Sequence, residues 1–296
     1  MRVKSWKVGR VGYPVGALVL VIALWELVKL LVPAQGVSVG GQRILPRTSD
    51  AAMPHVWRVF TVLGDADGKR TVGETLIRTA GFTFTLALLA LLIGTVVGVA
   101  LAVLMQRFAF VERGLLPYIV VSQTVPLIAL APLVAGWGGK IVIAGEPWRP
   151  WMSIAVIASY LAFFPVAVGM LRGLQSPSKA SVELLHSYSA GWWDTLVRLR
   201  FPAAVPHFLP ALRLAAAASV IGAVVAEIST GTAGGIGRQI IVFSQQATGD
   251  SSRLYAAVLA AALLGIAVTG VVALAEFALR RYSRPAGVGS SSGGTR

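Results

Sequence analysis

The sequence contains no cysteine, so a disulfide framework and a thiolate metal site are both excluded. Its three histidines, His55, His186 and His207, are scattered, and no two stand at the three- or four-residue spacing of a helical metal site. Acids are also scarce, with 12 Asp and Glu against 26 Lys and Arg and a net charge of +14. In a soluble domain that surplus would suggest nucleic acid. Here the basic residues sit in short loops between apolar runs and no nucleic-acid motif accompanies them, so lipid headgroups and the positive-inside rule account for them better. No Walker A sequence is present, and Gly234-Gly235-Ile236-Gly237 lacks both the Lys-Ser/Thr of a phosphate loop and the full spacing of a dinucleotide site. No second carboxylate or nucleophile is spaced to make Glu227 a catalytic acid. The chain therefore offers no catalytic, cofactor or metal site.

What the chain has in abundance is apolar surface. Of 296 residues, 56% are hydrophobic and only 13% charged, with a mean hydropathy of +0.75, too apolar for a water-soluble domain of this length. At about 20 apolar residues per crossing, the sequence predicts an all-α membrane protein with six transmembrane helices near 12–33, 75–105, 115–136, 151–174, 207–230 and 254–280. The first follows Arg2, Lys4, Lys7 and Arg10 but is too long for a signal-peptide core and has no clear cleavage site, so it is expected to be retained. The loops at 1–11, 106–114, 172–206 and 281–296 are richer in Lys and Arg than the alternate loops, which places both termini in the cytoplasm. Arg280, Arg281 and Arg284 close the last helix on that side, and the low-complexity tail 281–296 is expected to be disordered. The polar segment 34–74 holds an amphipathic run from Met53 to Leu63 and a Gly-Asp turn, and is expected to lie flat at the outer surface. Gly94 and Gly98 in the second span, and Gly222 in the Ala- and Val-rich fifth, suit close helix packing.

Three prolines, Pro117, Pro126 and Pro132, fall in the third span, where each removes a backbone donor and frees a carbonyl. A kinked helix beside a cavity is the expectation. Ser122, Gln123 and Thr124 lie just before Pro126, where they either cap the kink or face a solute. With Ser159 and Tyr160 of the fourth span and Glu227 near the outer end of the fifth, they are the candidates for a pathway lining, because polar groups at membrane depth need partners.

One long polar run interrupts the apolar part, PSKASVELLHSYSAGWWDTLVRLRFPAAVP at 177–206. Pro177 and Ser178 suit a helix start. Trp192 and Trp193 stand where the chain re-enters the bilayer, and Arg198, Arg200 and Arg213 bracket that edge. This order of features resembles the cytoplasmic EAA loop of permease subunits of binding-protein-dependent type I ABC importers. Glu183 stands at the Glu of the motif, Leu184 and Leu185 replace its two Ala, Ser189 sits at its Gly, and Phe201-Pro202 replaces Leu-Pro. Gly191, two residues late, is the other candidate for the turn. Ile44-Leu45-Pro46, Thr75-Leu76-Ile77-Arg78 with Gly81-Phe82, Pro126, Ala131-Pro132-Leu133 and Ala226-Glu227 extend the resemblance over about 44–280, towards the nitrate, sulfonate, taurine and thiamine-precursor branch.

The resemblance implies a five-helix (MetI-like) permease core at 75–280 behind one additional helix, in a bacterial inner membrane. It implies pairing with a second permease chain, a homodimer, and a solute delivered by an extracytoplasmic binding protein. A separate ATPase dimer, which carries ATP and Mg, would grip Glu183, Leu184, Leu185, His186, Ser189, Ala190, Gly191 and Pro202. Glu227-Ile228-Ser229-Thr230-Gly231 with Gly234-Gly235-Ile236-Gly237-Arg238 resembles the sub-branch importing riboflavin or the hydroxymethylpyrimidine precursor of thiamine more than the sulfonate sub-branch. Sulfonate, taurine or nitrate is the alternative solute. Glu183 has a plainer alternative role, stabilising its own helix through the dipole. A secondary transporter is the rival class, but it needs paired ionisable groups at membrane depth, and the spans offer only Glu26, Lys29, Glu227 and Glu276, all near helix ends.

Overall fold

The computed structural model describes residues 6–39, 42–143 and 145–282. The first five residues of the expected cytoplasmic N-terminus, and the expected disordered tail from 283 onward with Arg284, lie outside the described residues. In chain order the elements are α1 (Trp6–Leu31), the hairpin β1 (Val37–Val39) and β2 (Gln42–Leu45), α2 (Val56–Thr61) with a 3-10 turn at Val62–Gly64, and the hairpin β3 (Ala66–Asp67) and β4 (Arg70–Thr71). The long helix α3 (Val72–Arg107) follows, then α4 (Ala109–Ser122), α5 (Leu127–Gly138), the hairpin β5 (Val142–Ile143) and β6 (Glu146–Pro147), and α6 (Pro150–Leu174). After them come α7 (Lys179–Ser187), α8 (Trp192–Thr195), a π-helical turn at Leu196–Arg200, α9 (Phe201–Thr230), α10 (Ile236–Gln246) and α11 (Ser252–Tyr282). The chain divides into two compact units, 1–82 with 231–262 and 83–230 with 263–296.

Among the described residues, four stretches are long and apolar enough to cross a membrane: 72–107, 150–174, 192–230 and 252–277. The pair α4 and α5 makes a fifth if counted as one broken span. The expected count of six therefore stands at four or five, and α1, in which the first expected span lies, is a 26-residue helix outside that set.

Two expectations are corrected. The third span is not one kinked helix over 115–136, because α4 and α5 meet at 101° across the break at Gln123 to Pro126. Pro126 has no N–H for the carbonyl four residues back, and its ring disfavours helix at Val125, so the chain turns rather than bends. The fifth span, expected from 207, starts at Trp192 and runs to Thr230 through Pro202, Pro206 and Pro210 without a break. The π turn falls where Pro202 removes the donor for the Arg198 carbonyl.

In the first unit, the polar segment is tied to the end of α1. The Lys29 ammonium donates to Asp50 Oδ1 at 2.6 Å, to the Thr48 carbonyl at 3.3 Å and to the Met53 carbonyl. The Glu26 carboxylate accepts from the Val56 N–H and contacts His55 Nδ1, both at 2.8 Å. The β3–β4 hairpin turns at Gly68, whose φ of +64° suits a residue without a Cβ. Asp250 caps α11 by accepting from the Ser252 N–H at 2.8 Å. Desolvation alone would raise its pKa, yet hydrogen bonds from Ser252 and the Arg58 charge outweigh burial and hold the carboxyl below its ordinary range.

In the second unit, α6 lies antiparallel against α9 along a seam of small residues. Gly173 faces Ala204, Gly169 faces Ala211 and Gly222 faces Ala158; a Cβ on Gly173 or Gly222 would come within 2.7 or 2.8 Å of the opposing Cα. The expected close packing at Gly94 and Gly98 is also present. A Cβ on Gly94 would lie 2.8 Å from that of Ala162, and one on Gly98 would lie 2.8 Å from that of Val166. Small residues let backbones approach where lipid supplies no hydrophobic drive between helices.

Candidate coupling loop and translocation path

The loop closing the α6–α9 hairpin carries a short helix with a defined start and stop. Ser178 Oγ accepts from the Ser181 N–H at 3.2 Å, so α7 is N-capped by its own serine. Glu183 is the fifth of its nine residues, beyond the first turn where the dipole favours a carboxylate. Its side chain is exposed and no described side chain pairs with it. Self-stabilisation therefore explains little of why an acid stands there.

The C-terminus of α7 settles which residue turns the chain. Ser189 has φ +55° and is the one described non-glycine residue in the left-handed region. The Ser189 N–H donates to the His186 carbonyl at 2.9 Å and the Ala190 N–H to the Leu185 carbonyl at 3.1 Å, the paired bonds of a Schellman stop. Gly191 has φ −70° and ψ 174° and merely precedes α8. Its carbonyl accepts from the Thr195 N–H and Oγ1, each at 3.0 Å. Leu184 and Tyr188, one turn apart, are 58% and 77% exposed, His186 is exposed and Leu185 half-buried. The result is an unpartnered apolar stripe beside an unpartnered acid. Pro202 stands apart, in the continuous helix rather than in the loop.

The base of this loop is tied down by contacts that the motif does not show. The Arg200 guanidinium donates to the Leu174 carbonyl at 2.9 Å, which closes the end of α6. Gln175 donates to Glu112 of α4 at 2.9 Å, and Ser176 Oγ to the Gly173 carbonyl at 2.7 Å. Arg200 was legible as an edge anchor; the Gln175 and Glu112 pair left no signal in sequence.

Four of the six pathway candidates gather at the break between α4 and α5. Ser122 Oγ donates to the Ile119 carbonyl and Thr124 Oγ1 to the Val121 carbonyl, each at 2.8 Å. Gln123 Nε2 reaches Ser122 Oγ at 3.4 Å. The Ser122 carbonyl, which Pro126 deprives of its i+4 donor, accepts from the Val125 N–H at 3.3 Å and from the Tyr160 hydroxyl of α6. The other two candidates stand elsewhere. Ser159 is 7% exposed and its hydroxyl donates to the Ala155 carbonyl of its own helix at 2.6 Å. Glu227 is fully buried, and Thr83 Oγ1 of α3 donates to its carboxylate at 2.7 Å. Thr83 carries no signal in sequence, where a threonine in an apolar run 144 residues away gives no hint of pairing. An ion pair, Arg213 with Glu276, joins α9 to α11.

Residues 90–281 match the family described as binding-protein-dependent transport system inner membrane component. The chain belongs to that family. Among curated proteins, it is 36% identical over 145 residues to a formylaminopyrimidine transport permease of Halalkalibacterium halodurans, covering 49% of this chain and 54% of the relative. It is 25% identical to a riboflavin transport system permease of Chloroflexus aurantiacus, covering 58% of this chain and 60% of that one. A putative aliphatic sulfonates transport permease of Bacillus subtilis is 26% identical, with coverage of 66% and 67%. The chain thus spans a little over half the length of the first curated relatives it matches. A solved structure titled as an amino acid ABC transporter with histidines shares the fold, with a TM-score of 0.54 at 20% identity over 70% of this chain and 94% of that one.

Proposed function

We propose that the chain is the membrane-spanning permease subunit of an ATP-driven importer and forms, with a second copy of itself, the path for a small solute handed over by an extracytoplasmic binding protein. The observation that carries this reading is α7. In a member of this family, it is a capped helix closing the α6–α9 hairpin and presenting Glu183, Leu184 and Tyr188 exposed and, among the described residues, without side-chain partners. Such a surface fits a separate ATPase, which would hold the ATP and Mg, since this chain has no phosphate loop of its own. The chain then sits in a bacterial inner membrane with both termini in the cytoplasm, and α7 on the cytoplasmic side. It performs no bond chemistry itself. The pathway is assigned to the break at Ser122 to Thr124 with Tyr160, with Glu227 holding the helices around it.

For the solute, we favour a heteroaromatic compound of the pyrimidine thiamine-precursor or riboflavin kind. The relatives named for formylaminopyrimidine and riboflavin support it, beside the wording of 227–238. A sulfonate, taurine or nitrate is the second reading, with the sulfonate and nitrate permeases among the relatives behind it.

The test is to express the chain with its genomic neighbours, purify it in mild detergent, and weigh the complex. Two permease chains with two Walker-motif ATPases are expected, and uptake of radiolabelled solute by vesicles holding that complex should require ATP. A chain that purifies alone and transports without ATP would overturn the reading in favour of a secondary transporter.

A further inference from the structure

A cleft of about 600 Å³ opens between the last turns of α3 and the start of the 192–230 helix, within the roughly 300–1,000 Å³ range of ligand sites. Its α3 wall is one stripe. Ala100, Val103, Leu104 and Arg107 all line it, and their i, i+3, i+4, i+7 spacing puts them on a single helix face about 10 Å long, apolar for its length and cationic at its end. Leu196 and Phe201 complete the apolar side.

The cation is held in an unusual way. The Arg107 guanidinium lies 5.0 Å from the centroid of the Trp192 ring and 5.6 Å from that of Phe108. No described carboxylate pairs with it. The nearby acids are engaged, Asp194 with Arg198 at 3.3 Å and Glu112 with Gln175 at 2.9 Å. A guanidinium fixed by ring faces keeps its in-plane N–H fork for a bidentate anion. The indole Nε1 of Trp192 is itself buried without an acceptor, and Trp193 packs edge-on against Trp192 at 4.6 Å on the rim.

We propose that this cleft is a binding site for an anionic phospholipid, with one acyl chain along the α3 stripe and the phosphodiester on Arg107. The argument for that occupant is charge complementarity joined to shape: an apolar stripe that ends in an unpaired cation matches an amphiphile whose apolar tail ends in an anion. The placement rests on the topology above, which sets the Arg107 end of α3 at the cytoplasmic leaflet, where anionic headgroups attract basic residues. The lipid would wedge α3 against the segment leading out of the coupling loop, so its presence would bear on how firmly that loop is held.

The experiment uses the full chain in nanodiscs of phosphatidylcholine doped, at equal mole fraction, with brominated-acyl phosphatidylglycerol or brominated-acyl phosphatidylcholine. Quenching of Trp192 and Trp193 is read as the difference between the wild type and the Trp192→Phe/Trp193→Phe chain. The expected result is an apparent affinity about fivefold higher for the brominated phosphatidylglycerol, the ratio that about 1 kcal/mol per basic residue at an anionic surface gives. Arg107→Gln should bring the ratio to near one, and Arg107→Lys should retain part of it. If Arg107→Gln does not fold, Leu104→Phe, which narrows the cleft without changing charge, should still lower the ratio. A ratio near one in the wild type, a ratio unchanged in both Arg107→Gln and Leu104→Phe, or loss of the preference on adding excess inorganic phosphate would each overturn the proposal; the last would mark a free-anion site.

Discussion

Replacing Ser189 separates the two candidate turn residues of the loop that closes the α6–α9 hairpin. At φ +55° an L-residue bears about 1–2 kcal/mol of steric cost that glycine avoids, whereas glycine adds about 0.5–1 kcal/mol of unfolded-state entropy. The Ser189 hydroxyl makes no hydrogen bond among the described residues, so nothing else is lost with the side chain. Ser189→Gly should therefore firm the stop of α7 by up to about 1 kcal/mol, slowing hydrogen exchange of the Ser189 and Ala190 amides by up to about fivefold. Ser189→Val, β-branched in the same region, should speed that exchange at least as much. Gly191→Ala is the control: its φ and ψ are ordinary extended values, and an added Cβ meets nothing closer than Asp194 Oδ2 at 3.9 Å. Its effect should stay within about 0.5 kcal/mol. A larger loss of protection in Gly191→Ala than in Ser189→Val would refute the assignment and put the turn at Gly191.

Glu183→Arg should leave thermal stability within about 0.5 kcal/mol, because the carboxylate is exposed and unpartnered. Uptake should fall at least about thirtyfold, as losing a desolvated charge pair at an interface costs about 2–5 kcal/mol; normal uptake in vesicles would sink the docking role. Gly222→Val should cost about 1–3 kcal/mol of stability by forcing α9 off α6, whereas Gly265→Ala, with nothing within 4 Å of an added Cβ, should leave the melting temperature in detergent unchanged; equal effects would contradict the seam. Tyr160→Phe removes one of the two hydrogen bonds to the Ser122 carbonyl and leaves the one from the Val125 N–H, which should cost about 0.5–1.5 kcal/mol. The same variant should alter uptake more than binding of the ATPase, and unchanged uptake kinetics would remove the break from the pathway.

The long helices were legible because each is a run of apolar residues closed by charge or proline: 75–105 lies within Val72–Arg107 and 151–174 within Pro150–Leu174. The fate of individual prolines was not. Pro126 breaks its helix while Pro202, Pro206 and Pro210 remain inside theirs, because that outcome depends on whether neighbouring backbone can absorb the lost bond, as the π turn before Pro202 does. The turn stayed open for a related reason. Serine has no strong preference for the left-handed region, so only the Schellman pair reveals that Ser189 adopts it. Glu26 and Lys29 read as lone ionisable groups near a helix end, since their partners at 48–56 lie some 20–30 residues on, beyond any local pattern.

Those same features decide what a push on α7 can move. With Gly173 against Ala204, Gly169 against Ala211 and Gly222 against Ala158, α6 and α9 approach closely at three points along their length, which resists sliding and favours movement of the hairpin as one body with α7 at its closed end. Arg200 pins the end of α6 to the segment leaving the loop, which removes the slack that would let α7 move alone. The hairpin also carries Tyr160, whose hydroxyl holds the carbonyl freed at the break between α4 and α5. A break has two ends free to reorient where a continuous helix has none. Displacement of α7 by a partner must therefore either carry the end of α4 with it or pull the Tyr160 bond apart, and in both cases the change arrives at Ser122, Gln123 and Thr124, the polar residues assigned to the solute path.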